Sequence, residues 1–177
     1  MEIRRLEPTD DRSRFQSGDP DLDRFFILFA GQNQFRHHLG VTYVAAESGY
    51  IAGFVTVAPG HLEIDDLPVS VLKGLARYPL PVLRLARLGV DKKSQGAGLG
   101  KILLRFVLEI TVKMAEEYGC VGVIVDAKPG AEGFYKGMAF MPFESQEGAA
   151  EVRPKLTAMI LPLDDIKRGL RSNPGKS

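Results

Sequence analysis

The chain has 177 residues, of which 45% are hydrophobic and 25% are charged, and its formal net charge is +1. This length suits one domain with a packed core, which we expect to span residues 1–170. The single cysteine, Cys120, excludes an internal disulfide framework, and charge or proline interrupts the longest apolar segments, which excludes a membrane span.

The first elements in chain order are a strand, a helix and a hairpin. Ile3 to Leu6 can open the fold as a strand. From Asp21 to about Phe35 the apolar residues recur at helical spacing, and Asp19 or Asp21 is placed to cap the helix. Two runs rich in β-branched residues, Val41–Ala46 and Tyr50–Ala58, flank a Glu-Ser-Gly turn and predict a β-hairpin.

The second half is predicted to alternate helices and strands. A helix from Asp65 to about Leu75 precedes a buried strand at Leu83–Val90. A long amphipathic helix follows from about Gly98 to Tyr118 and ends at Gly119. The remaining predicted elements are a strand at Val121–Asp126, a helix at Ala131–Gly137, a strand or turn starting at Phe140, a last strand at Lys155–Leu161 and a disordered tail at Arg171–Ser177.

This order of elements predicts a mixed α/β fold with antiparallel strands first and a helical crossover in the middle. The crossover through the long helix should make strands 83–90 and 121–126 parallel neighbours, because a strand–helix–strand connection of this length returns in the same direction.

The most informative segment is the glycine-rich turn between strand 83–90 and the long helix. Gly96, Gly98 and Gly100 fall within five positions at the start of that helix, where unpaired N–H groups and the helix dipole favour an anion. A P-loop is excluded because Gln95 and Ile102 replace its first glycine and its hydroxyl residue. A dinucleotide fingerprint is excluded because Lys101 replaces its last glycine.

Gln95-Gly-Ala-Gly98-Leu-Gly100, after a strand that ends Leu-Gly-Val-Asp, resembles motif A of the GCN5-related N-acetyltransferases, the GNAT family. The resemblance implies the GNAT fold, a mostly antiparallel sheet whose parallel pair splays apart to admit acetyl-CoA as co-substrate. It implies that the loop amides hold the pyrophosphate and that strand 88–90 hydrogen-bonds the pantetheine arm. The implied acetyl-CoA-binding residues are Leu88, Gly89, Val90, Gln95, Gly96, Ala97, Gly98, Leu99, Gly100, Lys101 and Asp126.

A second segment, from Asp126 to Phe140, resembles motif B of the same family. The resemblance implies that Tyr135 is the general acid that protonates the departing coenzyme A thiolate, a role that a tyrosine protonated at pH 7 can fill. A lone tyrosine more commonly packs its ring and points its hydroxyl to water. Ala139 stands where the family usually has glycine, which bears on the backbone of that turn.

Further matches from Phe15 to Leu88 resemble the GNAT toxins that pair with ribbon-helix-helix antitoxins. That resemblance implies acetylation of the α-amino group of aminoacyl-tRNA, with an antitoxin as a further partner. The sequence leaves a homodimer open. The alternatives are a housekeeping enzyme that acetylates a small-molecule or protein amine, and a non-enzymatic module that binds acyl-CoA. A general base is not evident, and the candidates are Glu47, Glu63 and Asp126.

Charge and cysteine usage complete the expectations. Basic residues crowd around the glycine turn. They suit an anionic cofactor or, alternatively, a surface that also receives a polyanionic substrate such as RNA, and the composition favours the first interpretation. These basic residues are Arg77, Arg84, Arg87, Lys92, Lys93, Lys101 and Arg105. The N-terminus has no signal-type apolar core, and the histidines show no metal-ligand spacing, so we expect a cytoplasmic protein without a metal.

Overall fold

The computed structural model describes residues 1–63, 66, 74, 79–144 and 155–172. Its first elements are β1 (Glu2–Arg5), α1 (Pro20–Arg24), a π-helical segment (Phe25–Phe29), α2 (Ala30–Phe35), β2 (Val41–Glu47), β3 (Tyr50–Leu62) and β4 (Leu80–Val90). A short 3-10 helix (Lys92–Ser94) leads to α3 (Leu99–Glu117), β5 (Gly122–Ala127), α4 (Glu132–Lys136), β6 (Met141–Pro142), β7 (Thr157–Pro162) and α5 (Leu163–Ser172).

The described strands form one mixed sheet in the order β1-β2-β3-β4-β5-β7-β6. The pairs β1–β2, β2–β3, β5–β7 and β6–β7 are antiparallel. The sheet contains one parallel pair and is flanked by helices, which confirms the predicted mixed α/β class. The connection from β4 to its neighbour β5 runs through α3, as the sequence predicts.

Local sequence explains the hairpin and the first helix. Ser48 and Gly49 both have positive φ, 51° and 77°, the conformation of the two-residue turn that matches strand twist. The side chain of Asp19 caps α1 by accepting from the backbone N–H groups of Asp21 and Leu22 at 2.9 and 3.3 Å. The predicted helix from Asp21 to Phe35 is present, but the π-helical segment divides it.

Contacts divide the chain into two compact units. Unit 1 comprises Met1–Ala58 and Leu85–Val107, and unit 2 comprises Pro59–Arg84 and Leu108–Ser177. In unit 1, the fully buried rings of Phe26 and Phe54 stack with centroids 4.2 Å apart, and Phe15 meets both rings edge-on. The core cluster of unit 2 contains Leu62, Leu80, Val82, Ile124 and Ile160.

Four features differ from the sequence expectations or fall outside the described residues. β4 begins at Leu80, three residues earlier than predicted, because the strand tolerates Pro81, whose carbonyl accepts from the N–H of Val121 at 2.8 Å. The sequence reasoning missed α5, although Asp164 and Asp165 in its first turn are typical of a helix start. Arg171 and Ser172 end α5 rather than beginning a disordered tail, while the predicted helix 65–75 lies almost wholly outside the described residues.

The end of α4 is closed by a Schellman motif. The N–H of Phe140 donates to the carbonyl of Tyr135, and the N–H of Ala139 donates to that of Lys136, both at 3.0 Å. This motif puts Ala139 in the left-handed region with φ 67°, where a Cβ atom is unfavourable. The position at which the GNAT resemblance expects glycine therefore keeps the glycine conformation.

We expect Ala139→Gly to raise the free energy of unfolding by about 1 kcal/mol, because glycine removes the left-handed penalty. Urea denaturation of the full chain measures this change. Ala115→Gly in the last turn of α3 is the matched control and should lower stability by up to about 1 kcal/mol, since there the same replacement acts on right-handed helix. Destabilisation by both replacements would contradict strain at Ala139.

Candidate active site

The glycine turn leaves its backbone open on the outer side. Gly96 and Gly98 have φ of 80° and 81°, and an added Cβ atom at either would meet nothing within 4 Å. Residues 95 to 98 are exposed, and α3 begins directly after them at Leu99. Because the first N–H groups of a helix have no partner within the helix, this turn presents free donors to an anion. The cradle therefore fits a diphosphate.

The side chain of Gln95 anchors the turn through two hydrogen bonds to main-chain carbonyls. Its Nε2 donates one hydrogen bond to the carbonyl of Val90 at 2.9 Å and another to the carbonyl of Ser17 at 2.7 Å. A glutamine amide nitrogen has two donors, so both are used by the protein backbone. Gln95 can therefore contribute to an anion site through its main-chain N–H, while its side chain holds the turn in place.

Asp91 is a second anchor, to which the sequence reasoning gave no role. It is 3% exposed and follows β4 directly. One carboxylate oxygen accepts from the N–H of Gln16 at 3.0 Å, and the other accepts from the N–H of Lys93 at 3.0 Å and the hydroxyl of Tyr50 at 2.9 Å. Its place as the N-cap of the short 3-10 helix was the one available sequence signal.

The electrostatics of Asp91 follow from these contacts. Burial alone would raise the pKa of Asp91, but the hydrogen bonds from Gln16, Lys93 and Tyr50 outweigh burial and lower it. A carboxylate with a lowered folded-state pKa stabilises the fold above its unfolded pKa, and that contribution is lost as the pH falls through the folded value. Asp91 is therefore an ionised anchor at neutral pH.

The predicted residues Leu88, Gly89 and Val90 form the last part of β4. A Cβ atom at Gly89 would lie 2.7 Å from Cε1 of Phe54, which is fully buried. Glycine is thus required here by the packing of unit 1. Leu88 and Val90 are half-buried, so this end of the strand is not fully covered.

The other predicted residues of the turn divide into support and surface. Leu99 is 4% exposed and belongs to the core, and Gly100 is half-buried in the first turn of α3. Ala97 and Lys101 are exposed beside the turn. Of the basic residues that the sequence places around the turn, four lie in unit 1 with exposed side chains: Arg87, Lys92, Lys93 and Lys101.

Asp126 lies on β5 in unit 2 and is already paired. Its carboxylate accepts from the guanidinium of Arg84 at 2.8 Å, with 45% of the aspartate side chain exposed. Glu47, another candidate base, lies 3.4 Å from the N-terminal ammonium group of Met1. Glu63 is exposed at the end of the described segment. The described residues therefore do not single out one of these carboxylates as a base.

Tyr135 lies in α4 of unit 2 and is 7% exposed. Its ring packs edge-on against Phe134 at 5.1 Å and Phe140 at 5.5 Å. Burial raises the pKa of Tyr135 to about 12, because the phenolate would be poorly solvated among these rings. The hydroxyl therefore stays protonated at neutral pH, as a proton donor must.

The described residues lack two further kinds of feature, a metal-binding cluster and a membrane-spanning helix. They contain no group of three or more His, Cys, Asp or Glu side chains that could hold a metal ion. None of their helices is both long and apolar enough to cross a membrane.

A strand, an open glycine turn and a helix in this order belong to a class of α/β proteins that can take an anionic group at a helix N-terminus. The particular family follows from the sequence: the profile of the Acetyltransferase (GNAT) family matches residues 2–140, so the chain belongs to this family. It is accordingly an acetyltransferase.

Known relatives and solved structures agree with this assignment. A tRNA-acetylating toxin of Mycobacterium tuberculosis (strain ATCC 25618 / H37Rv) is 36% identical over 126 residues, which cover 70% of this chain and 74% of the relative. The structure of AtaT complexed with acetyl-methionyl-tRNAfMet superposes with a TM-score of 0.83 at 23% identity, covering 96% of this chain and 98% of AtaT.

Two further solved structures share the fold. AtaT bound to acetyl-CoA and the C-terminus of the antitoxin AtaR, as a tyrosine-to-phenylalanine mutant, has a TM-score of 0.75 at 21% identity and covers 96% of this chain and 97% of that one. A tyrosine-to-phenylalanine mutant of KacT has a TM-score of 0.78 at 20% identity and covers 95% and 99% of the two chains.

We expect Asp91→Asn to weaken acetyl-CoA binding about 10-fold, because an amide cannot accept all three hydrogen bonds and a misplaced buried donor costs about 1–3 kcal/mol. Isothermal titration with acetyl-CoA measures the affinity. Asp11→Asn, an exposed aspartate that hydrogen-bonds Ser13, is the matched control and should bind like the wild type. Unchanged affinity in Asp91→Asn would show that the anchor does not shape the turn.

Proposed function

We propose that this chain transfers the acetyl group of acetyl-CoA to the α-amino group of aminoacyl-tRNA. The observation that carries the proposal is the relative described as a tRNA-acetylating toxin, 36% identical to this chain over 126 residues. A structural neighbour in complex with acetyl-methionyl-tRNAfMet supports the same class of product.

The glycine turn supports acetyl-CoA as the donor. Its open backbone at Gly96 and Gly98 can approach phosphate oxygens without a Cβ atom in the way. In the proposal the main-chain N–H groups of residues 95 to 100 hold the pyrophosphate, and Leu88 to Val90 hydrogen-bond the pantetheine arm. Lys101 adds a positive charge beside the same turn.

The exposed basic residues of unit 1 support a polyanionic acceptor. Arg87, Lys92, Lys93 and Lys101 all have exposed side chains, and each phosphate contact with such a group adds salt-sensitive affinity. The α-amino group has a pKa of about 7.7–8.0, so a useful neutral fraction exists near pH 7 without a strong base. Two of the candidate bases are already in ion pairs, Glu47 with the N-terminal ammonium group and Asp126 with Arg84. An acceptor amine that is partly neutral at pH 7 does not need either of them as a base.

In the proposed reaction the neutral amine attacks the thioester carbonyl, so that a C–N bond forms and the C–S bond breaks. Backbone donors near Leu88 to Val90 polarise the carbonyl oxygen. Tyr135 gives its hydroxyl proton to the coenzyme A thiolate, and the ammonium formed on the acceptor loses a proton to solvent. Solvent returns a proton to the Tyr135 phenolate, which restores the hydroxyl. The raised pKa of Tyr135 keeps this proton in place until the thiolate forms.

Tyr135→Phe should lower kcat for acetylation of aminoacyl-tRNA by about 10²–10⁴-fold, because the proton donor is removed while the ring stays. Transfer of labelled acetyl groups from acetyl-CoA to charged tRNA measures the rate. The exposed Tyr118, replaced by Phe, is the matched control and should leave kcat unchanged. Acetyl-CoA affinity of both variants, measured separately, should stay within about 3-fold of wild type.

The acceptor is tested in the same assay by changing the tRNA. Uncharged tRNA and formyl-methionyl-tRNA, whose amine is blocked, should take up no label. Label on uncharged tRNA, or no label on any charged tRNA while a polyamine or a lysine peptide is acetylated, would overturn the proposed acceptor. Expression of the wild type, but not of Tyr135→Phe, should arrest growth if the activity blocks translation in a cell.

The pH dependence should show one limb. Between pH 6 and 8.5 kcat/KM should rise as the acceptor amine, with a pKa of about 7.7–8.0, loses its proton. No falling limb should occur below pH 9, because burial raises the pKa of Tyr135 to about 12 and the hydroxyl stays protonated. Initial rates corrected for spontaneous deacylation measure the profile, and a decline between pH 8 and 9 would contradict Tyr135 as the donor.

A further inference from the structure

Unit 1 contains a cavity to which the proposed reaction assigns no role. Its volume is about 190 Å³, and its walls come from the π-helical segment, α2, β2, β3 and β4. An engineered protein cavity of about 150 Å³ accepts a benzene molecule. The cavity is therefore large enough for one amino-acid side chain and too small for a coenzyme or a nucleotide.

The cavity adjoins the end of β4 that the proposed function assigns to the thioester. Ala86 and Arg87 line it, and Leu88 follows in the same strand. At about 3.3 Å per residue, Ala86 lies only about 7 Å along the strand from Leu88. The amine and the side chain of an amino acid share one carbon atom. An amine placed to attack beside Leu88 therefore brings its side chain to this wall.

The lining favours an uncharged side chain. None of its ten residues is acidic, so a buried ammonium or guanidinium group would have no counter-charge. The hydroxyls of Thr42 and Thr56, both buried, hydrogen-bond each other at 2.8 Å. The methyl groups of Ala58 and Ala86 add apolar surface from neighbouring strands.

Arg87 adds a positive charge to the cavity lining. Its guanidinium donates to the carbonyl of Ala86 at 2.8 Å and lies 5.1 Å from the ring centroid of Phe25. Both contacts are with other lining residues, so they keep the guanidinium beside the cavity, where it repels a cationic side chain. An arginine in this position is also exposed, so it can face the phosphates of an RNA acceptor.

We propose that this cavity receives the amino-acid side chain of the aminoacyl acceptor and selects large uncharged side chains over glycine and over lysine. The proposal rests on the proposed function and adds a specificity determinant to it. The selecting surfaces are the Thr42–Thr56 pair, the small residues Ala58 and Ala86, and the charge of Arg87.

The test compares kcat/KM for purified leucyl-, methionyl-, glycyl- and lysyl-tRNA. Wild type should prefer leucyl- or methionyl-tRNA by at least about 10-fold over the other two, the discrimination that a hydrophobic pocket supplies. Ala86→Leu should fill the cavity and lower kcat/KM for the large side chains by at least about 10-fold, leaving glycyl-tRNA within about 3-fold. Ala58→Leu, from a different strand, should do the same.

Ala115→Leu on α3, outside the cavity, is the matched control and should keep the wild-type preference. Wild-type affinity for acetyl-CoA in all three variants shows that they are folded. Equal use of the four tRNAs by wild type, or an equal loss on all four in both filled variants, overturns the cavity assignment alone. Failure of wild type to acetylate any of the four overturns the proposed function itself.

Discussion

The candidate site depends on one constraint: the glycine turn has few side chains of its own, so hydrogen bonds of Gln95 and Asp91 have to fix its conformation. Gly96 and Gly98 leave the outer surface bare, which an anion requires, but glycine also gives the unfolded turn more freedom to lose. Gln95 and Asp91 offset that cost through five hydrogen bonds to Ser17, Val90, Gln16, Lys93 and Tyr50. The proposed anion site thus depends on its supporting side chains as much as on its glycines.

Successive residues at the end of β4 have different structural roles. Gly89 has no room for a side chain because Phe54 lies against it, and Phe54 stacks on Phe26 at the centre of unit 1. The aromatic core therefore fixes the end of the strand from which the turn departs. The residues just before it, Ala86 and Arg87, face a cavity instead of core. In chain order, β4 therefore contributes a wall of the cavity, then a packing contact with Phe54, and then the start of the turn.

In unit 2, the proposed proton donor Tyr135 lies in α4, and the strained residue Ala139 lies just after the end of this helix. Burial among Phe134 and Phe140 keeps the hydroxyl of Tyr135 protonated, and the Schellman motif that ends the helix begins at the carbonyl of this same residue. That motif needs a left-handed residue, which here is Ala139. The position of the tyrosine is therefore kept at the expense of local backbone strain.

Local sequence pattern was sufficient to predict where most helices and strands lie. The spacing of glycines, the length of the amphipathic helix and the Phe-Tyr pair predicted the turn, α3 and α4 to within about two residues. α5 was missed because its ten residues have a low apolar content, and its packing depends on one buried side chain, Ile166.

The sequence by itself determined the fold class and the glycine turn, because these follow from period and turn chemistry. It also indicated Tyr135 as the proton donor, through the resemblance of its segment to motif B, and that role stays a prediction. Only the tertiary structure decided what Gln95 and Asp91 bind and that a cavity lies beside β4. The physical reason is distance along the chain: Gln95 finds Ser17 78 residues away, Asp91 finds Gln16 75 residues away, and the cavity walls come from separate strands and helices. No local pattern encodes such partners, since they become neighbours only when the unit packs.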